Sequence, residues 1–120
     1  MKNSIALNQS QQRTVELDQV LVLNFHSDPS HGWIESSFYL LDKLNLIDKI
    51  TPYSYVNLNS HTAYLEEDQD ASLFLDALRN NHISYNIKEV YSNKDRSFVR
   101  CLRTFDPNEV KTLTKEGIEK

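Results

Sequence analysis

A chain of 120 residues with 39% apolar and 25% charged side chains has room for one real core and reads as a single globular domain. Its formal charge of −4 is too mild for a mimic of duplex DNA. One cysteine, Cys101, excludes an internal disulfide framework and fits a reducing compartment.

With only Gly32 and Gly117 present, no glycine-rich loop can cradle a phosphate, which argues against P-loop and Rossmann nucleotide enzymes. No apolar run approaches the roughly 18 residues of a membrane span, and the N-terminus lacks the apolar centre of a signal peptide. The expectation is a cytoplasmic protein with no membrane contact and no cofactor.

Residues 1–13 are polar, rich in Gln, Asn and Ser and without period, and read as a flexible arm. Residues 14–105 read as the domain, and residues 106–120 as a tail. Val20 to Phe25 is short, continuous and apolar, the pattern of a central strand buried on both faces. His26 to Ser30 breaks it, and His31 to Glu35 resumes an extended character. Gly32 beside Trp33 suggests a bulge or a close backbone approach. Ser36 or Ser37 can cap a helix whose stripe is Leu40, Leu41, Leu44 and Ile47.

Pro52 favours an extended start for the aromatic and β-branched run Tyr53 to Leu58. Asn59-Ser60 suits a tight turn, with His61 to Leu65 as the returning strand. Glu66, Glu67, Asp68 and Asp70 then precede Ala71, Phe74, Leu75 and Leu78, which fall on one helical face. Carboxyl groups there can accept unpaired helix N–H groups and oppose the dipole; the run lacks the alternating spacing of a calcium loop.

Ile83, Tyr85 and Ile87 alternate with Ser84, Asn86 and Lys88, the pattern of a half-buried antiparallel strand. Ser92 to Arg96 turns the chain, and Phe98 to Phe105 reads as a last strand closing a C-terminal hairpin. Asp106-Pro107 opens a tail helix, to which Val110 and Leu113 give little apolar surface for docking. The predicted order is ββαββαββ: an α+β, two-layer fold with a mainly antiparallel sheet and two helices on one face.

The run His31-Gly32-Trp33, then Leu40-Leu41, then Asp48 to Tyr55, then Ala63 to Asp68 with Asp70-Ala71 resembles a known group. It is similar to small uncharacterised accessory proteins carried by bacterial plasmids, phages and integrated elements. The resemblance covers about Val20 to Phe105. Members often have proline after the HGW strand, where this chain has Ser36-Ser37. It implies a non-essential product of a mobile genetic element, and it supplies no mechanism.

Four constellations are candidates for chemistry. His26, Asp28, His31 and Glu35 lie within ten residues and could bind zinc or move protons. The two histidines match no standard ligand spacing, and solvated loop residues are the simpler reading. Cys101 could be a nucleophile, although a core thiol on a strand explains it as well.

Lys94, Arg96, Arg100 and Arg103, with Tyr85, Tyr91 and Phe98 nearby, could form a single-strand nucleic-acid surface on the C-terminal hairpin. The odd spacing of Arg100 and Arg103 sends them to opposite faces of a regular strand. Trp33, Tyr53, Tyr55 and Tyr64, with Glu66, Glu67 and Asp68, suit a protein interface.

The sequence thus favours a non-enzymatic interaction protein, a host- or defence-modulating factor of anti-restriction or anti-CRISPR type. Its partner would be a host or phage protein. The alternatives are the nucleic-acid binder and a small enzyme or metal site around His26 and His31. A two-fold homodimer through a free sheet face or edge is a further expectation.

Overall fold

The computed structural model describes residues 20–93 and 98–118; the expected arm, Lys94 and Arg96 lie outside the described residues. Six strands form one sheet: β1 (Leu21–Ser27), β2 (Gly32–Ser37), β3 (Tyr55–Asn57), β4 (Thr62–Glu66), β5 (Tyr85–Tyr91) and β6 (Arg103–Thr104). Among the described residues three helices accompany it, α1 (Phe38–Lys43), α2 (Asp70–Asn80) and α3 (Pro107–Ile118), with 3-10 turns at Ile47–Lys49 and Phe98–Cys101. The spatial order is β5-β1-β2-β4-β3-β6, and among the described strands only the β1–β5 pairing is parallel. The fold is α+β with two layers and a mainly antiparallel sheet. No helix among the described residues is long and apolar enough to cross a membrane.

Strand alternation sorts the sheet into two faces. Leu23, Ile34, Val56, Ala63 and Leu65 point to one side and join Phe38, Leu41, Phe74, Leu78 and Val110 in the main core. The same period sends Val22, Asn24, His26, Trp33, Glu35, Tyr55 and Tyr64 to the other side. Val22 is 61% exposed, so β1 is not the strand buried on both faces that its apolar run suggests. One side of it is core, and the other is open at Val22.

Gly32 serves the close approach its position suggests. A Cβ there would lie 2.3 Å from the Phe25 ring and 2.6 Å from a Glu67 carboxyl oxygen. Ser37 caps α1, its hydroxyl accepting the Leu40 N–H at 3.0 Å. The helix is only six residues long, because Asn45 takes a left-handed φ of 60° and turns Leu46 and Ile47 into the core. At the β3–β4 turn the left-handed residue is His61, φ 52°, rather than the asparagine before it. In α2, Ala71, Phe74 and Leu78 are buried, whereas Leu75 is only partly so; the inward face is rotated slightly from the expected stripe.

Two expectations fail at the C-terminal half. β5 is parallel to β1, not one arm of an antiparallel hairpin. β4 runs parallel to β1 after two reversals, and α2 is a crossover that returns the chain in the direction of β4. β5 therefore emerges at the far edge, beside β1. Residues Phe98–Cys101 form a 3-10 turn rather than a strand, and only Arg103–Thr104 pair, with β3 at the opposite edge. The C-terminal hairpin does not exist. The tail helix α3 is more firmly seated than its composition suggests. Val110 is fully buried, Thr114 nearly so, and Lys111 pairs with Asp48 at 2.6 Å.

Candidate functional site

Two constructions stand out, both outside the main core and both anchored by a buried carboxyl group. The first lies at the open end of the β3–β4 hairpin, opposite its turn. Asp70, the first residue of α2, is wholly buried. Its Oδ2 accepts the Thr51 N–H at 3.0 Å, the Thr51 hydroxyl at 2.8 Å and the Ser54 hydroxyl at 2.5 Å. Its Oδ1 has no hydrogen-bond partner among the described residues. Ser54 Oγ in turn accepts the Glu66 N–H at 2.9 Å, and Thr51 Oγ1 accepts the Tyr53 N–H at 3.2 Å.

One carboxyl group thereby ties the loop before β3 to the turn after β4. Glu66 closes that turn, its carboxyl oxygens accepting the Asp68 and Gln69 N–H groups at 2.8 and 3.1 Å. The Glu67 N–H donates to the Gly32 carbonyl at 3.1 Å. On this fixed backbone Tyr53, 72% exposed, and the exposed Glu67 and Asp68 face solvent. An aromatic ring and two carboxyl side chains stand on pinned main chain, where little conformational entropy remains to be lost on binding.

The second construction covers the open sheet face. Chain-distant residues Phe98 to Leu102 fold over Trp33 and Tyr64, with Val99 fully buried between them. Arg100 holds this cover down. Its Nε donates to Asp28 Oδ2 at 2.8 Å and its Nη2 to Oδ1 at 3.2 Å. The Asp28 side chain is fully buried and also accepts the Ser30 and His31 N–H groups at 2.9 Å each. The guanidinium lies 5.6 Å from the Trp33 ring centre and 2.7 Å from His31 Nδ1. Its hydrogen bond to Asp28 raises the Arg100 pKa above its ordinary value.

Beside it, His26 Nε2 lies 2.7 Å from Glu35 Oε1, and the imidazole meets Tyr64 and Phe98 edge-on at 5.4 Å each. Burial, then the nearby Glu35, raise the Tyr64 pKa.

The expected sites sort accordingly. His26 and Glu35 form one pair and Asp28 and His31 belong to another, rather than to one centre. Among the described residues no group of three or more His, Cys, Asp or Glu side chains is placed to hold a metal ion. Cys101 is exposed on the 3-10 turn, not a core thiol. Trp33 and Tyr64 are buried under the cover and Tyr55 is half-buried, so of the four aromatics only Tyr53 is presented.

Arg100 and Arg103 do face opposite ways, but on no shared hairpin. Arg103, registered with Val56 on the helix side, pairs with Glu109 at the far edge and holds that carboxyl group below its usual range. The anchoring roles of Asp70 and Asp28 are absent from the sequence reading. Thr51 and Ser54, three apart around Pro52-Tyr53, are the local hint of the first. Arg100 is 72 residues from Asp28, and nothing local announces that pair.

Comparisons with family models, curated proteins and solved structures give no match. The functional reading rests on the residues themselves.

Proposed function

We propose that this protein is a non-enzymatic interaction factor whose contact surface is the corner formed by Tyr53, Glu67 and Asp68. The observation that carries this reading is the Asp70 anchor. Burying a carboxyl group is costly, and here it organises two surface loops beside an exposed tyrosine and acidic side chains. Tyrosine on a pre-set backbone is a favoured interface residue, and the carboxyl groups suit a basic surface on the partner. The resemblance to accessory proteins of plasmids, phages and integrated elements supports a host or phage protein as that partner. Modulation of a host defence, of anti-restriction or anti-CRISPR type, is the role proposed.

The test is affinity capture from a bacterial lysate with the wild-type chain and with Tyr53→Ala/Glu67→Gln in parallel. The expected outcome is a partner retained by the wild type and lost by the double variant, whose melting temperature is unchanged. Equal recovery by both chains would move the interface elsewhere.

A further inference from the structure

β5 is an edge strand with seven residues of ladder on one side and, among the described residues, no strand on the other. It exposes apolar groups on both faces of the sheet: Ile87, 48%, and Tyr91, 59% exposed, on the helix side, and Val90, 40%, on the other. Which backbone groups point outward follows from the bonds to β1. The Ser84 carbonyl accepts from Leu21 and the Ser92 N–H donates to Ser27. In a regular strand successive residues direct their N–H and C=O groups to opposite sides. Asn86, Lys88 and Val90 are therefore committed to β1, and Tyr85, Ile87, Glu89 and Tyr91 direct theirs to the free edge.

We infer that a second copy of this chain occupies that edge, through an antiparallel β5–β5 pairing about a two-fold axis at Ile87. A two-fold axis perpendicular to a sheet preserves its faces and passes midway between two directly opposite residues, whether or not that pair exchanges hydrogen bonds. At Lys88 or Glu89 the axis sets like charges directly opposite, which destabilises a cross-strand pair. At Tyr85 or Asn86 the ladder runs back to Asn81, the cap of α2, and at Val90 or Tyr91 it runs past the end of β5.

At Ile87 the pairing is self-complementary. Ile87 meets the partner's Ile87, Ile83 meets the partner's Tyr91, and Asn86 meets the partner's Lys88. Tyr85 meets the partner's Glu89. The Tyr85 hydroxyl already accepts from Arg79 at 2.7 Å, so the incoming carboxyl group arrives beside a guanidinium. The outcome is a continuous twelve-stranded sheet, twice the six strands of one copy.

The pairing makes a register-specific prediction for the full-length chain. In a hydrogen-bonded antiparallel pair the Cα atoms lie about 5.5 Å apart, within the roughly 4.4–6.8 Å a disulfide spans. In a Cys101→Ser background, Ile87→Cys should form a covalent dimer with oxidised glutathione. Glu89→Cys should not, because its two copies would sit four residues, roughly 14 Å, apart. Sedimentation of the wild type should show twice the chain mass, and Ile87→Pro should return it to a monomer. Proline at 87 removes an outward N–H and leaves the β1 ladder intact.

Monomeric wild-type protein without an Ile87→Cys crosslink would overturn the inference, whether a partner's strand or the chain's own N-terminal residues filled the edge. A crosslink through Glu89→Cys, or a dimer that survives Ile87→Pro, would do so equally.

Discussion

Asp28 and Asp70 are both buried carboxyl groups, and the chain satisfies them in opposite ways. Asp28 faces a guanidinium and two backbone N–H groups. Asp70 faces two hydroxyls and one backbone N–H, and keeps one oxygen unpartnered. The first fastens one distant segment onto the sheet by a charge pair. The second fastens two loops to each other by dipoles alone. A charge pair is costly to break from either side, whereas a hydroxyl network fails donor by donor. The cover over Trp33 and Tyr64 is thus predicted to be the stiffer region, and the Tyr53 corner the more tunable one.

The sharpest way to break this contrast is to remove each acid. Asp28→Ala should cost about 3–5 kcal/mol, because it removes the charge partner of the half-buried Arg100 and the acceptor of two loop N–H groups. Asp70→Ala should cost about 2–4 kcal/mol, the penalty for orphaning its donors. Denaturant titration reads both; the reverse ranking would mean that the cover is incidental.

A smaller effect sharpens the picture of the covered face. Tyr64 has its pKa raised in the folded chain, so its neutral form is the one the fold favours. Stability from this group is complete below the unfolded value near 10 and is lost as pH rises through the folded one. Tyr64→Phe should flatten that alkaline loss in melts above pH 9.5 or so. An unchanged alkaline profile would show that Tyr64 is not held in this environment.

Much of the fold was legible because its signals are local. The α2 face announces itself through Ala71, Phe74 and Leu78, and the α1 start through Ser37. Gly32 marks a close approach in which a Cβ would force the Phe25 ring or the Glu67 side chain to shift. What escaped is non-local. A parallel β5 follows from where a crossover ends, and the alternation of Ile83, Tyr85 and Ile87 reads the same for either direction. Phe98 to Phe105 has strand composition, yet Val99 and Arg100 serve Trp33 and Asp28 instead of a ladder. Leu75 shows the limit of periodicity even where it succeeds. It lies on the expected stripe but only partly buried, so its truncation should cost less than that of fully buried Leu78.

The same distinction holds at the corner proposed as the interface. Tyr53, Glu67 and Asp68 were visible as candidate contact residues, because aromatic and acidic groups cluster in a short stretch. The group that holds them in place was not, since Asp70 looks like one more acid at a helix start.

Native-state hydrogen exchange on the wild type and Asp70→Ala tests that role most directly, because it reads each amide separately. Alanine removes the oxygen that accepts from Thr51 and Ser54, whereas an asparagine could keep an oxygen in that place and turn its amide group to the side where Oδ1 lacks a partner. The account predicts lost protection at Thr51 and Glu66, whose N–H groups bond Asp70 and Ser54, with Ile34 and Leu65 unchanged in the sheet centre. Undiminished protection at Thr51 and Glu66 would contradict the claim that Asp70 anchors the corner.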